Sequence, residues 1–103
     1  MLLGEDINTI AGEFPVKEKF NLSTQICRAA DSISLNIAEG CIGQSNPEFR
    51  KFMGYAIRSL AEVVTCLHKA KSRNYISEEI FRSLYNASFN LMNMMVAFKK
   101  NIK

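Results

Sequence analysis

Several residue types that support catalysis or metal binding are scarce in this 103-residue chain. It contains no tryptophan, one histidine and three cysteines, and the cysteines show no C-x-x-C spacing. Because a structural zinc site needs about four ligands, we expect no metal site within one chain. Phosphate-loop, zinc-protease and serine-hydrolase motifs are also absent. These absences argue against an enzyme, and we expect neither a cofactor nor a small-molecule ligand.

Long apolar runs and targeting signals are missing as well. No apolar run approaches eighteen residues, so no transmembrane helix is indicated and no membrane partner is expected. The N-terminal residues 1–6 lack the basic and apolar regions of a signal peptide, and the default prediction is a cytoplasmic protein. In a reducing compartment, Cys27, Cys41 and Cys66 are expected to be small buried hydrophobic residues.

Length and charge indicate one domain with an uneven charge distribution. Residues 1–103 are predicted to form a single helical-bundle domain, with 48% hydrophobic residues available for a core. Residues 1–49 carry a net charge of −4, whereas residues 50–103 carry +7. The opposite signs favour pairing of the two halves within a bundle or between subunits.

Apolar residues recur at intervals of three and four, which is typical of packed helices. The pattern predicts an all-α, up-and-down antiparallel four-helix bundle with a short first helix. A capping box at Ser45 to Glu48 and an N-cap at Ser77 mark the starts of the third and fourth helices. The four predicted helices span residues 5–11, 22–40, 46–73 and 78–99, and Asn21 is a possible N-cap of the second.

A polar pair interrupts the apolar seam of the second helix. Asn36 occupies a seam position between Ile33 and Gly40, and Glu39 follows three residues later. A polar residue on such a seam often fixes register or oligomeric state, so we expect both side chains to be mostly buried and hydrogen-bonded. The alternative is that they satisfy only backbone groups or each other.

The fourth helix carries two apolar stripes, although a helix at the edge of an isolated bundle needs only one. The second stripe is therefore a candidate oligomer interface, with a wide-faced monomeric core as the alternative. This candidate interface consists of Phe81, Tyr85, Phe89, Met92 and Val96.

Basic residues concentrate on the third helix, where several cations on one surface would suit phosphate binding. A solvated helix end that complements the helix dipole is the alternative explanation for its last turns. The candidate nucleic-acid-binding residues are Arg50, Lys51, Arg58, Lys69, Lys71 and Arg73.

Residues 14 to about 100, most of the chain, resemble the "four helix bundle protein" family, whose founding members are encoded in intervening sequences of bacterial 23S ribosomal RNA. The resemblance rests on Phe14-Pro15, Gln25-Ile26, Arg28-Ala29-Ala30, Glu48-Phe49 and, most specifically, Asn36-Ile37-Ala38-Glu39-Gly40. It implies a small helical bundle without enzymatic activity that assembles as a ring-shaped pentamer. A related group is accessory to diversity-generating retroelements and binds RNA and reverse transcriptase. Arg28, Asn36, Glu39 and Gly40 correspond to family-motif positions with an implied structural role.

The chain departs from the family pattern in three places. Cys27 stands where a second arginine is usual, and Ile42-Gly43 replaces a Gly-Arg pair, so two cations are lost from the implied nucleic-acid surface. The first helix is also shorter than usual, which suggests that it is shortened or partly borrowed. Two functions remain open: a homo-oligomer, implied to be a pentamer, that contacts structured RNA or a nucleic-acid enzyme, and a purely structural or protein-interaction oligomer.

Overall fold

The computed structural model describes residues 2–43 and 45–102 and contains only helices and turns over these ranges. The predicted all-α four-helix bundle with a short first helix is confirmed. The first helix begins at Leu2, three residues before the predicted start. The helices are α1 (Leu2–Gly12), α2 (Leu22–Ile42), α3 (Asn46–Ser72) and α4 (Glu78–Asn101), with a 3-10 turn at Val16–Glu18 between α1 and α2.

The short α1 divides the bundle into two unequal ends. At 1.5 Å per residue, α1 is about 16 Å long, whereas α4 is about 36 Å long. Each helix packs against the next and α1 also contacts α4, but α2 and α4 do not pack together within the described chain. The half that contains α1, the 3-10 turn and the α3–α4 connection is called the closed end. The half formed by residues 35–58 and 89–102 is called the open end.

The core of the bundle is built from apolar residues at helical spacing. Ile7 of α1, Ile33 of α2 and Leu60 of α3 are each fully buried. On α4 the most buried positions are Phe81, Leu84, Ser88 and Met95. Ser88 is accommodated because its hydroxyl donates to the carbonyl oxygen of Leu84, so a polar group enters the core with its donor satisfied.

Local signals set the starts of α3 and α4, as predicted. The Ser45 hydroxyl accepts a hydrogen bond from the backbone N–H of Glu48, and the Ser77 hydroxyl accepts from the N–H of Ile80. Both contacts satisfy a donor that the first helical turn leaves free. Asn21 occupies the N-cap position of α2, as suggested, but its side chain makes no capping hydrogen bond to the helix.

Glu18 takes over the capping role at the start of α2. Its carboxylate accepts from the backbone N–H of Leu22 at 3.5 Å and from the side-chain amide of Asn21 at 3.0 Å. The negative charge therefore lies at the positive end of the α2 dipole. The polar signal that marks this helix start belongs to a residue four positions earlier than the first residue of the helix.

Candidate nucleic-acid interface

The six predicted nucleic-acid-binding residues do not share one surface. Lys51, Arg58 and Lys69 are exposed, whereas Arg50 and Lys71 are half-buried. Separations of seven and eleven residues place Lys51, Arg58 and Lys69 on one line of the helix. This set, called the α3 outer face, lies on the side of α3 turned away from the core.

Aromatic rings hold two cations of the α3 outer face in place. The Lys51 ammonium lies 5.2 Å from the centroid of the Phe52 ring, and the Arg58 guanidinium lies 6.0 Å from that of Tyr55. Such contacts stabilise exposed cations weakly and leave their outer sides open to solvent. Within residues 2–43 and 45–102, none of the three cations forms an ion pair. Glu62, four residues after Arg58 and seven before Lys69, lies on the same line and is also exposed, so the α3 outer face includes one carboxylate.

Lys71 and Arg73 are engaged inside the chain instead. The Lys71 ammonium lies 2.8 Å from a carboxylate oxygen of Glu78 and 4.5 Å from the centroid of the Phe81 ring. The hydrogen bond from Lys71 is the main cause of a pKa below the usual value at Glu78. Arg73 donates to Glu18 at 3.1 Å. The predicted cluster at the end of α3 therefore stabilises the α3–α4 connection.

The Glu18 carboxylate joins three segments at the closed end. Besides Arg73, it accepts a hydrogen bond of 2.6 Å from the Tyr75 hydroxyl. This bond is the main reason that the pKa of Glu18 is lowered, although burial opposes the shift. The same bond is the main cause of the raised pKa of Tyr75. Sequence reasoning missed this network because its partners are more than fifty residues apart, at separations of 55 and 57.

The turn after α3 brings Tyr75 into that network. Asn74 has a positive φ of 61°, a conformation that asparagine tolerates better than most residues. The N–H of Tyr75 reaches the carbonyl of Ala70, and the N–H of Asn74 reaches that of Lys71. This pair of bonds is the Schellman arrangement that ends many helices. A local backbone motif therefore positions the side chain that binds Glu18.

Arg50 faces α4 rather than the α3 outer face. Its guanidinium donates to the backbone carbonyl of Ile102, which closes the C-terminal end of α4. A cleft of about 550 Å³ runs between α3 and α4 at this point. This cleft, called the basic cleft, is lined by Arg50, Ile57, Val96, Lys99, Lys100 and Ile102.

The family-motif residues of α2 have different environments. Asn36 is half-buried, and its amide donates to the carbonyl and hydroxyl oxygens of Ser32. Glu39 is exposed, so the expectation that it is mostly buried is wrong for the single chain. Each step of three residues turns about 60° around the helix, which moves Glu39 beyond the buried face. Arg28 is likewise exposed on α2.

Gly40 of α2 lies directly against α3. A β-carbon at this position would lie 3.4 Å from a ring carbon of Phe49 and 3.4 Å from the β-carbon of Phe52. A small residue is therefore required for the two helices to pack at this distance. The structure gives this motif position a packing role, in keeping with what the resemblance implies.

The five residues of the candidate oligomer interface range from buried to exposed. Phe81 is buried and contacts the His68 ring at a centroid distance of 5.0 Å. Tyr85 and Met92 are half-buried. Phe89 and Val96 leave 55% and 42% of their surfaces exposed, which is unusual for large apolar residues on a helix that packs at a bundle core. Val96 also lines the basic cleft between α3 and α4.

The open end also exposes an apolar groove. This groove has a volume of about 240 Å³ between α2 and α4, with α3 as its floor. Met94 and Phe98 on its rim are 68% and 52% exposed. Its lining consists of Ile37, Cys41, Phe49, Met53, Leu91, Met94, Met95 and Phe98.

The cysteines are not placed as reactive thiols or as a metal site in the part of the chain that the structure describes. Burial raises the pKa of the Cys27 and Cys66 thiols above the usual value, and nearby Asp31 and Glu62 respectively add to the effect. Both thiols are therefore poorly activated as nucleophiles. Cys66 is buried, Cys27 is half-buried and Cys41 is exposed, so the prediction of three buried cysteines is confirmed at Cys66 and wrong at Cys41. Across the described ranges, no group of three or more potential metal ligands converges.

Comparison with models of protein families identifies the family of this chain. The family model described as "23S rRNA-intervening sequence protein" matches residues 1–97. The chain belongs to this family. The match extends over all four helices except the last residues of α4.

The fold also has a close counterpart among solved structures. A crystal structure of a protein of unknown function from the S23 ribosomal protein family of Bacteroides thetaiotaomicron VPI-5482 superposes with a TM-score of 0.79 at 22% sequence identity. The superposition covers 96% of this chain and 99% of that chain. A comparison with curated proteins found no match. Neither the family description nor that of the structural counterpart names a catalytic activity.

No helix in the part of the chain that the structure describes combines the length and apolar character needed to cross a bilayer.

Proposed function

We propose that this chain is a non-enzymatic, homo-oligomeric helical bundle that binds structured RNA through the α3 outer face. The observation that carries the proposal is the exposed alignment of Lys51, Arg58 and Lys69. Their spacing along the helix axis is about 10 Å and then about 16 Å. A line of exposed cations can neutralise backbone phosphates without reading base sequence.

Membership of the 23S rRNA-intervening sequence family supports RNA as the ligand. Assembly would strengthen binding, because a ring of identical subunits repeats the α3 outer face around its axis. The pentamer that the resemblance implies would present five copies of this face. The apolar residues Phe89 and Val96 lie seven positions apart on one side of α4 and are exposed in the single chain, so they are available to a neighbouring copy.

A gel-shift titration with a labelled hairpin fragment of 23S ribosomal RNA, at several salt concentrations, tests the RNA proposal. The test variant replaces Lys51, Arg58 and Lys69 with Gln. Its affinity for the RNA should fall by about tenfold or more. The slope of log affinity against log salt should flatten by about 2 to 3 per bound subunit. A matched control replaces Lys17, Lys19 and Arg82 with Gln, which removes the same charge from other surfaces.

The result contradicts a specific face if the control loses as much affinity as the test variant, because net charge alone would then explain binding. Absence of binding by the unmodified protein at tens of micromolar would leave the second candidate, a structural or protein-interaction oligomer. That candidate is favoured by Glu62 on the α3 outer face and by the internal pairing of Lys71 and Arg73.

A further inference from the structure

Charges at the open end are segregated by sign along the sequence. Within the open end, residues 35–49 contain two Glu and no Lys or Arg, whereas residues 50–58 contain three Lys or Arg and residues 89–102 contain two, with no Asp or Glu in either range. The end of α2 and the first turn of α3 are therefore negative, and the rest of α3 and α4 at this end is positive.

These charges do not neutralise one another within the chain. The ion pairs among residues 2–43 and 45–102 join Lys71 and Arg82 to Glu78, and Arg73 to Glu18. All of them lie at the closed end. The open end thus presents both signs of charge on separate surfaces, an arrangement that suits association between molecules.

The negative surface carries exposed apolar residues in a regular line. Asp31, Leu35, Glu39 and Ile42 follow one another at intervals of four, four and three residues, so they share one face of α2. This acidic strip points away from the core. Leu35 is 65% exposed and Ile42 is 73% exposed.

The positive surface is the basic cleft between α3 and α4. Its floor is apolar, formed in part by Ile57 and Val96, and its rim carries Arg50, Lys99 and Lys100. Gly54 lies beneath the Lys99 ammonium, and a β-carbon there would approach it to 3.1 Å. The absence of a side chain at this position gives Lys99 its place at the rim.

We infer that the acidic strip of one copy docks into the basic cleft of the next copy. Leu35 and Ile42 would cover the apolar floor, and Glu39 would pair with the lysines at the rim. The two surfaces differ, so the contact is heterologous and propagates in one direction until a ring closes. This inference rests on the homo-oligomer of the proposed function and assigns the surfaces that form its interface.

Charge reversal tests the pairing in sedimentation-velocity experiments over a range of protein concentrations. Glu39→Lys alone, and Lys99→Glu with Lys100→Glu, should each raise the dissociation constant of the assembly by about tenfold or more. A chain that carries all three changes restores opposite charges across the interface, so it should reassemble better than either parent. Glu13→Lys reverses an exposed charge at the closed end and should leave assembly unchanged.

The apolar part of the contact has its own variant, Leu35→Ser with Ile42→Ser. Both side chains are exposed in the single chain, so helix content by circular dichroism should persist while the assembly weakens. A wild-type oligomer that tolerates all of these changes would overturn the inference and leave the homo-oligomer standing. A wild-type protein that is monomeric throughout would overturn both. Cleft variants that keep the wild-type mass but lose RNA binding would assign the cleft to RNA and overturn the inference.

Discussion

The two ends of this bundle cover the apolar core to different extents. At the closed end all four helices meet, and Ile7 of α1 is fully buried. The Glu18 carboxylate links the α1–α2 connection to Arg73 and Tyr75. At the open end, α1 is absent and the groove between α2 and α4 remains uncovered. The length of α1 therefore determines which end of the bundle has its apolar core covered within one chain.

The exposed side chains follow the same division. Leu35, Ile42, Met94 and Phe98 are each more than half exposed, and all lie at the open end. The closed end has exposed apolar residues too, but Val16 and Phe20, at 87% and 88% exposed, belong to the connection after α1, and Ile80 on the first turn of α4 is only 39% exposed. Strongly exposed apolar side chains on the helices are thus concentrated at the open end, where the bundle has three helices.

The largest expected effect comes from cutting back the core at the closed end. Ile7→Ala should lower the free energy of unfolding by about 2 to 5 kcal/mol, because a fully buried side chain leaves a cavity. Met94→Ala, at a position that is 68% exposed, should cost less than about 0.5 kcal/mol in dilute protein. Urea unfolding of both variants measures the difference, and equal losses would refute the division into two ends.

The next effect concerns the Glu18 network and depends on pH. Folding lowers the pKa of Glu18, so its stabilisation is complete above the pKa of an unfolded glutamate, about 4.3, and is lost as pH falls through the lower folded-state value. Glu18→Gln should therefore destabilise the protein at pH 7 and become equivalent to wild type in acid. Glu13→Gln, at an exposed position, is the control. A destabilisation of Glu18→Gln that persists unchanged into acid would show that the carboxylate charge is not responsible.

The smallest effect is expected at Asn36, where the open end begins on α2. Among the described residues its amide donates to Ser32, whose hydroxyl also accepts from Ser59 of α3 at 2.9 Å. Asn36→Leu should leave the free energy of unfolding within about 1 kcal/mol of wild type while broadening the distribution of oligomers. Thermal melts and native mass spectrometry measure the two quantities. A large loss of stability with unchanged assembly would mark Asn36 as part of the core network.

Features that depend on near neighbours in sequence could be predicted from the chain alone. The Ser45 and Ser77 caps act within three residues, and the apolar spacing gave the helices and their order. Glu18 could not be found in this way, since its partners Arg73 and Tyr75 meet it only after the bundle forms. The pairing of Lys71 with Glu78 was missed for a related reason. Helix-dipole and charge rules identify cations at the end of a helix, but they do not show which carboxylate the following turn brings close to them.

The central claim is that the open end is completed by further copies of the same chain, and solution mass tests it most directly. Light scattering coupled to size exclusion should give a fixed multiple of the 11.6 kDa chain mass at tens of micromolar. The multiple should decrease on dilution and in Glu39→Lys. A single species of 11.6 kDa at all concentrations would contradict the account.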